Sequence, residues 1–266
     1  GPLSLFRETV APTAWVALPS RERVLRRLSY GLGRGGGPVI LHGTSGAGKS
    51  LTARVLADRW RGPSHLLPYP ALPPRELIAD LVEGFSGERP AVELTLAGGL
   101  RMLRERLSHW NQRGVRPLLI LDDAHLIDSA ETWAAIRMIQ NVSTLGMPDL
   151  AVLLVGSTEL VVRMPRFLGE RITGRCLLGP IEADEIGDYL QGRLSQDPNW
   201  SAEEARHLFP EEVLAALHRS ARGLPRAINQ LADLSLILAW EAERSAVSPP
   251  DVQAAYGEMN AAAIPA

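Results

Sequence analysis

Two kinds of hydrophobic pattern alternate along roughly the first 180 residues of the chain. Short runs of consecutive apolar residues are typical of strands that are buried on both faces of a sheet. Apolar residues spaced three or four positions apart are typical of amphipathic helices. The alternation predicts an α/β domain with a parallel sheet. The predicted strands are residues 38–42, 65–67, 117–121 and 151–155.

Several helices are predicted between these strands. Ser20 is expected to cap the first helix, whose apolar face is formed by Val24, Leu25, Leu28 and Leu32 and whose other positions are rich in arginine. Pro74 is expected in the first turn of a second helix, since proline is tolerated there. Further helices are predicted to begin at Lys49 and to span about 92–112 and 130–142.

The pattern changes after residue 180, where only helical periodicity remains. Helices are predicted over residues 182–194, 210–221, 224–243 and 249–258. We therefore expect three parts: an irregular segment over residues 1–19, an α/β core over 20–180 and a small all-helical domain over 181–266. Residues 1–4 resemble the remnant that a protease leaves when it removes a tag.

Composition narrows the class of protein. The chain has 266 residues, of which 45% are hydrophobic and 22% charged, as in soluble globular proteins. The net charge of −2 does not require nucleic acid or an acidic membrane as a partner. The single cysteine excludes an internal disulfide. No apolar run approaches the roughly 18 residues of a membrane span, and no secretory signal opens the sequence. We therefore expect a cytoplasmic location, with membrane attachment only through a partner or a segment outside this sequence.

A glycine-rich stretch predicts a nucleotide site. Residues 43–50 fill every fixed position of the G-x-x-x-x-G-K-[ST] pattern, between a predicted strand and a predicted helix. The glycines let backbone N–H groups surround an anion, and the helix directs its positive end at the same phosphates. Lys49, the only lysine among 28 basic residues, is expected to reach the β- and γ-phosphates of ATP, and Ser50 to bind Mg²⁺. The residues expected to contact the nucleotide are Gly43, Thr44, Ser45, Gly46, Ala47, Gly48, Lys49, Ser50 and Leu51.

Acidic and hydroxyl side chains follow the third and fourth strands. Asp122 is expected to hold Mg²⁺ together with Ser50, and Asp123 to polarise the attacking water. Ser157 and Thr158 end at the same edge of the predicted sheet, where ligands of open α/β sheets bind. One of them could hydrogen-bond the γ-phosphate or the water; either could instead cap the next helix.

Several arginines could stabilise charge on the γ-phosphate. Arg166, Arg171 and Arg175 precede the predicted boundary and are candidates to act from a neighbouring subunit, whereas Arg226 would act from within the same subunit. A surface salt bridge is the ordinary alternative for each of them.

The motifs together resemble the AAA+ ATPases, and among them the general secretion pathway protein A (ExeA) family, to which the TniB/TnsC transposition ATPases are similar. The most specific motif after the glycine-rich loop is G-x-P-R-x-I-N at residues 223–229. The other matching stretches are residues 70–77, 122–125, 155–160, 171–172, 178–181 and 189–194. The resemblance implies that Arg226 is the sensor-2 arginine, that Arg171 is the arginine finger, and that the protein forms an ATP-dependent ring or filament.

Two departures from the family pattern imply slow hydrolysis. Asp123 stands where such ATPases usually carry glutamate, and Ser157 stands where this family usually carries glutamine. A shorter acid lies further from the water, and a displacement of about 1 Å can lower a rate on the order of a hundredfold.

Three functions fit the sequence. The first is an ATPase whose nucleotide cycle moves the helical domain and drives assembly of a secretion or cell-envelope machine. The second is a transposition-type regulator that forms ATP-dependent filaments on DNA; the net charge disfavours it, and the arginine-rich first helix supports it. The third is a scaffold that binds ATP and scarcely hydrolyses it.

Overall fold

The computed structural model describes residues 5–90, 94–142, 150–197 and 199–262. It contains a five-stranded sheet in the order β2-β3-β4-β1-β5. Every neighbouring pair of strands is parallel, which confirms the predicted α/β fold. The strands are β1 (Val39–His42), β2 (Ser64–Leu67), β3 (Leu118–Leu121), β4 (Ala151–Gly156) and β5 (Gly174–Leu177).

The chain divides into two compact units. The sheet unit comprises segments 23–44 and 52–178, and the helical unit comprises segments 1–22, 45–51 and 179–266. The helices up to residue 178 are α1 (Pro19–Arg34), α2 (Lys49–Arg59), α3 (Pro74–Ser86), α4 (Leu96–Asn111), α5 (Ala130–Gln140), α6 (Leu160–Arg163) and α7 (Arg166–Gly169). The later helices are α8 (Ile186–Leu194), α9 (Ala202–Leu208), α10 (Glu211–Ala221), α11 (Pro225–Glu241) and α12 (Pro249–Ala262).

The core of the sheet unit follows from the apolar runs. All four residues of β3 and all six of β4 are buried, as expected for central strands that are covered on both faces. The buried faces of α3, α4 and α5 contribute to the same hydrophobic cluster. The helical unit has a hydrophobic cluster of its own, to which the N-terminal segment contributes Phe6 and Leu18. No described helix is both long and apolar enough to cross a membrane.

Four details differ from the sequence-based expectations. Strand β5 was not predicted, because only Cys176 among its four residues is buried. Helix α9 was also not predicted. Ser20 is not a cap: α1 begins at Pro19, and the Ser20 hydroxyl instead donates to Glu185 Oε2 at 2.5 Å. The helix expected from residue 92 begins at Leu96, with residues 92 and 93 outside the described part of the chain.

Candidate nucleotide site

The glycine-rich loop has the backbone geometry that its sequence requires. It follows β1 directly, and α2 begins at Lys49. Gly46 and Gly48 have φ values of 78° and 92°, which other residues adopt only with strain. At Gly43, a Cβ would lie 2.5 Å from the carbonyl oxygen of Leu178, so this position excludes a side chain as well. The local geometry therefore explains why glycine occupies each of these three positions.

Arg226 lies against this loop within the helical unit. Its backbone N–H donates to the Gly46 carbonyl at 3.3 Å, immediately after α11 begins at Pro225. The Arg226 side chain is more than half exposed, and its Nε lies 3.2 Å from Glu8 Oε2. Because exposed ion pairs contribute little free energy, Glu8 holds this guanidinium only weakly. The sensor-2 role remains a prediction, and it is supported by this position beside the loop.

Asp122 and Asp123 lie in different environments. Asp122, which directly follows β3, is buried, whereas the side chain of Asp123 is 45% exposed. The Asp123 backbone N–H donates to Asp122 Oδ1 at 3.0 Å. Asp123 also has a left-handed backbone with φ 51° and ψ 34°, which aspartate tolerates better than most residues. The buried acid is suited to hold a fixed ligand, and the exposed acid is suited to meet water.

His125 connects the turn after β3 to the end of β4. The Ser157 backbone N–H donates to His125 Nδ1 at 3.3 Å. The Arg163 guanidinium donates to the His125 carbonyl at 3.2 Å. His125 therefore has a structural role in the sheet unit, and nothing about its position requires a ligand.

Ser157 has a buried hydroxyl oxygen with no hydrogen-bond partner among the described residues, whereas Thr158 is exposed. Helix α6 begins at Leu160, so the capping position belongs to Glu159, whose side chain makes no capping bond. The capping alternative for Ser157 and Thr158 is therefore not what the structure has. An unsatisfied buried hydroxyl is unusual, and it favours Ser157 over Thr158 as a contact for a ligand.

The sheet brings the ends of the relevant strands to one edge. His42 of β1 pairs with Gly156 of β4, and Leu121 of β3 pairs with Leu154 of β4. Because these strands are parallel neighbours, Asp122 and Ser157 follow adjacent strands at the carboxyl edge, and the glycine-rich loop leaves from the same edge. This edge is where ligands bind in open α/β sheets.

The three candidate arginines of the sheet unit are all exposed. Arg171 Nη1 donates to Asn141 Oδ1 at 2.6 Å, and Arg166 Nε lies 3.0 Å from Glu170 Oε1, one helical turn away. Arg175 lies on the edge strand β5. Exposure is compatible with contact to a neighbouring subunit, and the role of each arginine in such a contact stays a prediction.

One residue near the loop was not singled out from the sequence. Arg21 is one of the arginines that flank the apolar face of α1, but it is only 5% exposed, and its guanidinium Nη1 donates to the Ala47 carbonyl at 3.1 Å. The spacing of Arg21 in the sequence indicates that it shares the buried face of α1. Leu25, Leu28 and Leu32 follow it by four, seven and eleven residues, which places all four on one side of the helix. An arginine in register with a buried stripe is a candidate for a buried polar contact.

Known proteins share this fold. The family model described as an AAA domain matches residues 33–164. The general secretion pathway protein A of Aeromonas hydrophila is 30% identical over 247 residues, which cover 89% of this chain and 43% of that protein. Among solved structures, Cdc6p of Pyrobaculum aerophilum has a TM-score of 0.69 at 21% identity and covers 96% of this chain and 70% of its own. The RuvB Holliday junction branch migration motor of Thermotoga maritima has a TM-score of 0.58 at 16% identity, covering 90% of this chain and 69% of its own.

The chain has the α/β fold of the AAA+ ATPases, as predicted, and an AAA domain model matches residues 33–164. Within that class it resembles general secretion pathway protein A, which confirms the resemblance that the motifs indicated. The chain spans less than half the length of that relative. The similarity to TniB/TnsC transposition ATPases stays a prediction.

Proposed function

We propose that this domain binds ATP together with Mg²⁺ and couples binding and slow hydrolysis to the assembly or remodelling of a secretion or cell-envelope complex. The observation that carries the nucleotide part is the glycine-rich loop, whose left-handed Gly46 and Gly48 lie between β1 and the start of α2. This backbone directs N–H groups toward an anion at a helix N-terminus. The secretion part rests on the name of the relative, general secretion pathway protein A.

The residues present fit a magnesium nucleotide. No group of three or more His, Cys, Asp and Glu side chains that could hold a metal occurs in the described part of the chain. Mg²⁺ needs no such group, because it commonly takes one or two protein oxygens and completes its shell with phosphates and water. The Ser50 hydroxyl and the buried Asp122 carboxylate would supply the protein oxygens. Mg²⁺ bound there would neutralise charge on the phosphates.

The remaining residues divide the work of hydrolysis. Lys49 would neutralise the β- and γ-phosphates, and Asp123, which is open to solvent, would accept a proton from the attacking water. The Ser157 hydroxyl, which has no hydrogen-bond partner among the described residues, would hydrogen-bond that water or the γ-phosphate. Arg226 from within the subunit and Arg171 from a neighbour would meet the developing charge. We therefore also propose a homo-oligomer, formed as a ring or a filament.

Substitutions should separate the two acids. We expect Asp122→Ala to weaken Mg²⁺-dependent ATP binding, because it removes the metal ligand. Asp123→Asn should leave binding intact and lower turnover by roughly 10²–10⁴-fold, the usual contribution of a general base. Calorimetry and a phosphate-release assay measure the two effects, and Asp128→Asn is the matched control, because Asp128 is an exposed acid five residues beyond Asp123. Equal effects of Asp122→Ala and Asp123→Asn on binding would contradict the division of roles.

Asp123→Glu tests whether the shorter acid limits the rate. If it does, the added methylene should raise turnover without changing ATP affinity. The left-handed backbone at this position works against glutamate, because the left-handed region is better tolerated by aspartate. A slower Asp123→Glu enzyme would show instead that the site is built around aspartate.

One observation keeps a DNA-binding function as the second candidate. Arg23, Arg26 and Arg27 are all exposed on α1 and form a small basic face, whereas the buried Arg21 does not contribute to it. Phosphate contacts require clustered cations of this kind. The relevant partner would be duplex DNA, bound in an ATP-dependent manner.

A salt titration of DNA binding, with and without ATP, decides between the two candidates. A protein with six to ten phosphate contacts loses about 10³–10⁵-fold in affinity between 50 and 200 mM salt. We expect no ATP-dependent binding with such a slope, because the net charge is −2. A steep slope that appears only with ATP and flattens when Arg23, Arg26 and Arg27 are replaced by alanine would favour the DNA-binding function.

A further inference from the structure

Two consecutive carbonyl groups of the glycine-rich loop are held by residues of the helical unit. The Arg226 backbone N–H donates to the Gly46 carbonyl at 3.3 Å, and the Arg21 guanidinium donates to the Ala47 carbonyl at 3.1 Å. In a planar trans peptide the C=O and the following N–H point in opposite directions, and no described peptide bond is cis. A held Gly46 carbonyl therefore fixes the direction of the Ala47 N–H, and a held Ala47 carbonyl fixes that of the Gly48 N–H.

Burial of the Arg21 guanidinium against the Ala47 carbonyl is energetically unfavourable. The Arg21 side chain is nearly inaccessible to solvent, and its Nη2 has no hydrogen-bond partner in the described part of the chain. Burial lowers the pKa of the Arg21 guanidinium, and the nearby Tyr189, Glu185 and Glu182 offset that effect only in part. A buried charge with an unmade hydrogen bond disfavours the folded state. Packing alone would be served better by an apolar residue at this position of the buried stripe.

The first turn of α1 is anchored beside this contact. Glu185 accepts hydrogen bonds from the Ser20 backbone N–H at 2.7 Å and from the Ser20 hydroxyl. These bonds fix the backbone that carries Arg21 without contacting the loop. The chain therefore separates an anchor, Ser20 with Glu185, from a group that reaches the nucleotide-binding backbone, Arg21.

We propose that Arg21 is a positioning residue of the nucleotide site, which holds the Ala47 carbonyl so that the Gly48 N–H is aimed at the phosphates. This inference rests on the proposed nucleotide binding. Arg21 acts through the loop backbone and does not contact the reacting atoms. The Gly48 N–H belongs to the part of the pattern that cradles the α- and β-phosphates, which ADP and ATP share. Loss of Arg21 should therefore affect both nucleotides equally.

The variant Arg21→Met keeps a long side chain and removes every donor. We expect the affinities for ADP and for ATP, measured by calorimetry with Mg²⁺, to fall together by roughly 10- to 100-fold, the range for hydrogen bonds to charged groups. Arg21→Lys keeps a charged donor and should recover most of the affinity. Arg226→Met should behave differently and weaken ATP more than ADP, because a sensor-2 arginine meets the γ-phosphate.

Two controls separate positioning from stability. Arg23→Met removes an exposed arginine two residues away on α1 and should leave both affinities unchanged. Ser20→Ala removes the hydroxyl bond to Glu185 and should lower the thermal midpoint with little effect on affinity. Wild-type affinity in folded Arg21→Met, or a loss in Ser20→Ala as large as that in Arg21→Met, would overturn the inference.

If Arg21→Met does not fold, a milder substitution tests the same proposal. Arg21→Gln keeps a neutral donor, and we expect severalfold weaker binding of both nucleotides. Unchanged affinity in folded Arg21→Gln would overturn the inference. A wild-type protein that binds neither ADP nor ATP would overturn the proposed function itself, which is a different result from normal wild-type binding with an insensitive Arg21.

Discussion

Replacement of Lys49 by alanine is expected to abolish detectable binding of ATP. Lys49 is the only lysine in the chain, and it stands at the first residue of α2, directly after the left-handed Gly48. The bound triphosphate carries several negative charges that its ammonium group would neutralise. An arginine could not easily take over, because its planar fork differs in shape and reach from the compact ammonium group. Isothermal titration calorimetry in the presence of Mg²⁺ measures the effect.

The matched control is Arg61→Ala, which removes the same charge at an exposed position just beyond the end of α2. It should bind ATP as the wild type does, which would exclude an effect of net charge alone. Thermal midpoints of both variants without nucleotide show whether the fold is intact. Unchanged ATP affinity in a folded Lys49→Ala protein would contradict the assignment of the loop as a nucleotide site.

Complete burial made strands β3 and β4 predictable from the sequence. Strands β3 and β4 are buried along their whole length, so each reads as an uninterrupted apolar run, and their ends were predicted to within one residue. Strand β5 lies at the edge of the sheet, and its exposed Arg175 and Leu177 break that pattern. Its pairing with β1 depends on the register of distant residues, which no local pattern contains.

The same distinction applies to the site. The glycine-rich loop could be predicted because steric and dihedral requirements at Gly46 and Gly48 are local to the motif. The partner of Arg21 could not be predicted, because Ala47 lies 26 residues away in sequence. The contact between Glu8 and Arg226 joins residues 218 positions apart, so it could not be predicted from the sequence either. Features that depend on neighbouring residues in the sequence could therefore be predicted from it. The polar contacts between distant segments could be identified only from the three-dimensional structure.

Arg171→Ala is expected to remove the dependence of turnover on protein concentration while keeping ATP binding. An arginine supplied by a neighbouring subunit can raise hydrolysis by roughly 10³–10⁵-fold, so turnover per subunit should rise as the protein assembles. Arg171 is exposed, and its side chain is oriented by Asn141 at 2.6 Å. Its backbone is fitted against Gly37, where a Cβ would lie 1.9 Å from the Arg171 carbonyl oxygen. A held and exposed guanidinium is the arrangement that a shared site needs.

Phosphate release across a dilution series, with the oligomeric state followed by light scattering, tests this expectation. Arg104→Ala is the matched control, because Arg104 is an exposed arginine of α4 and is not a candidate for the shared site. Mixing Arg171→Ala with Lys49→Ala subunits should recover part of the activity, since each variant supplies what the other lacks. If Arg171 proves silent, Arg166 and Arg175 become the candidates. Turnover that does not change with concentration, over a range in which the protein is monomeric, would refute a shared site and leave Arg226 to act within its own subunit.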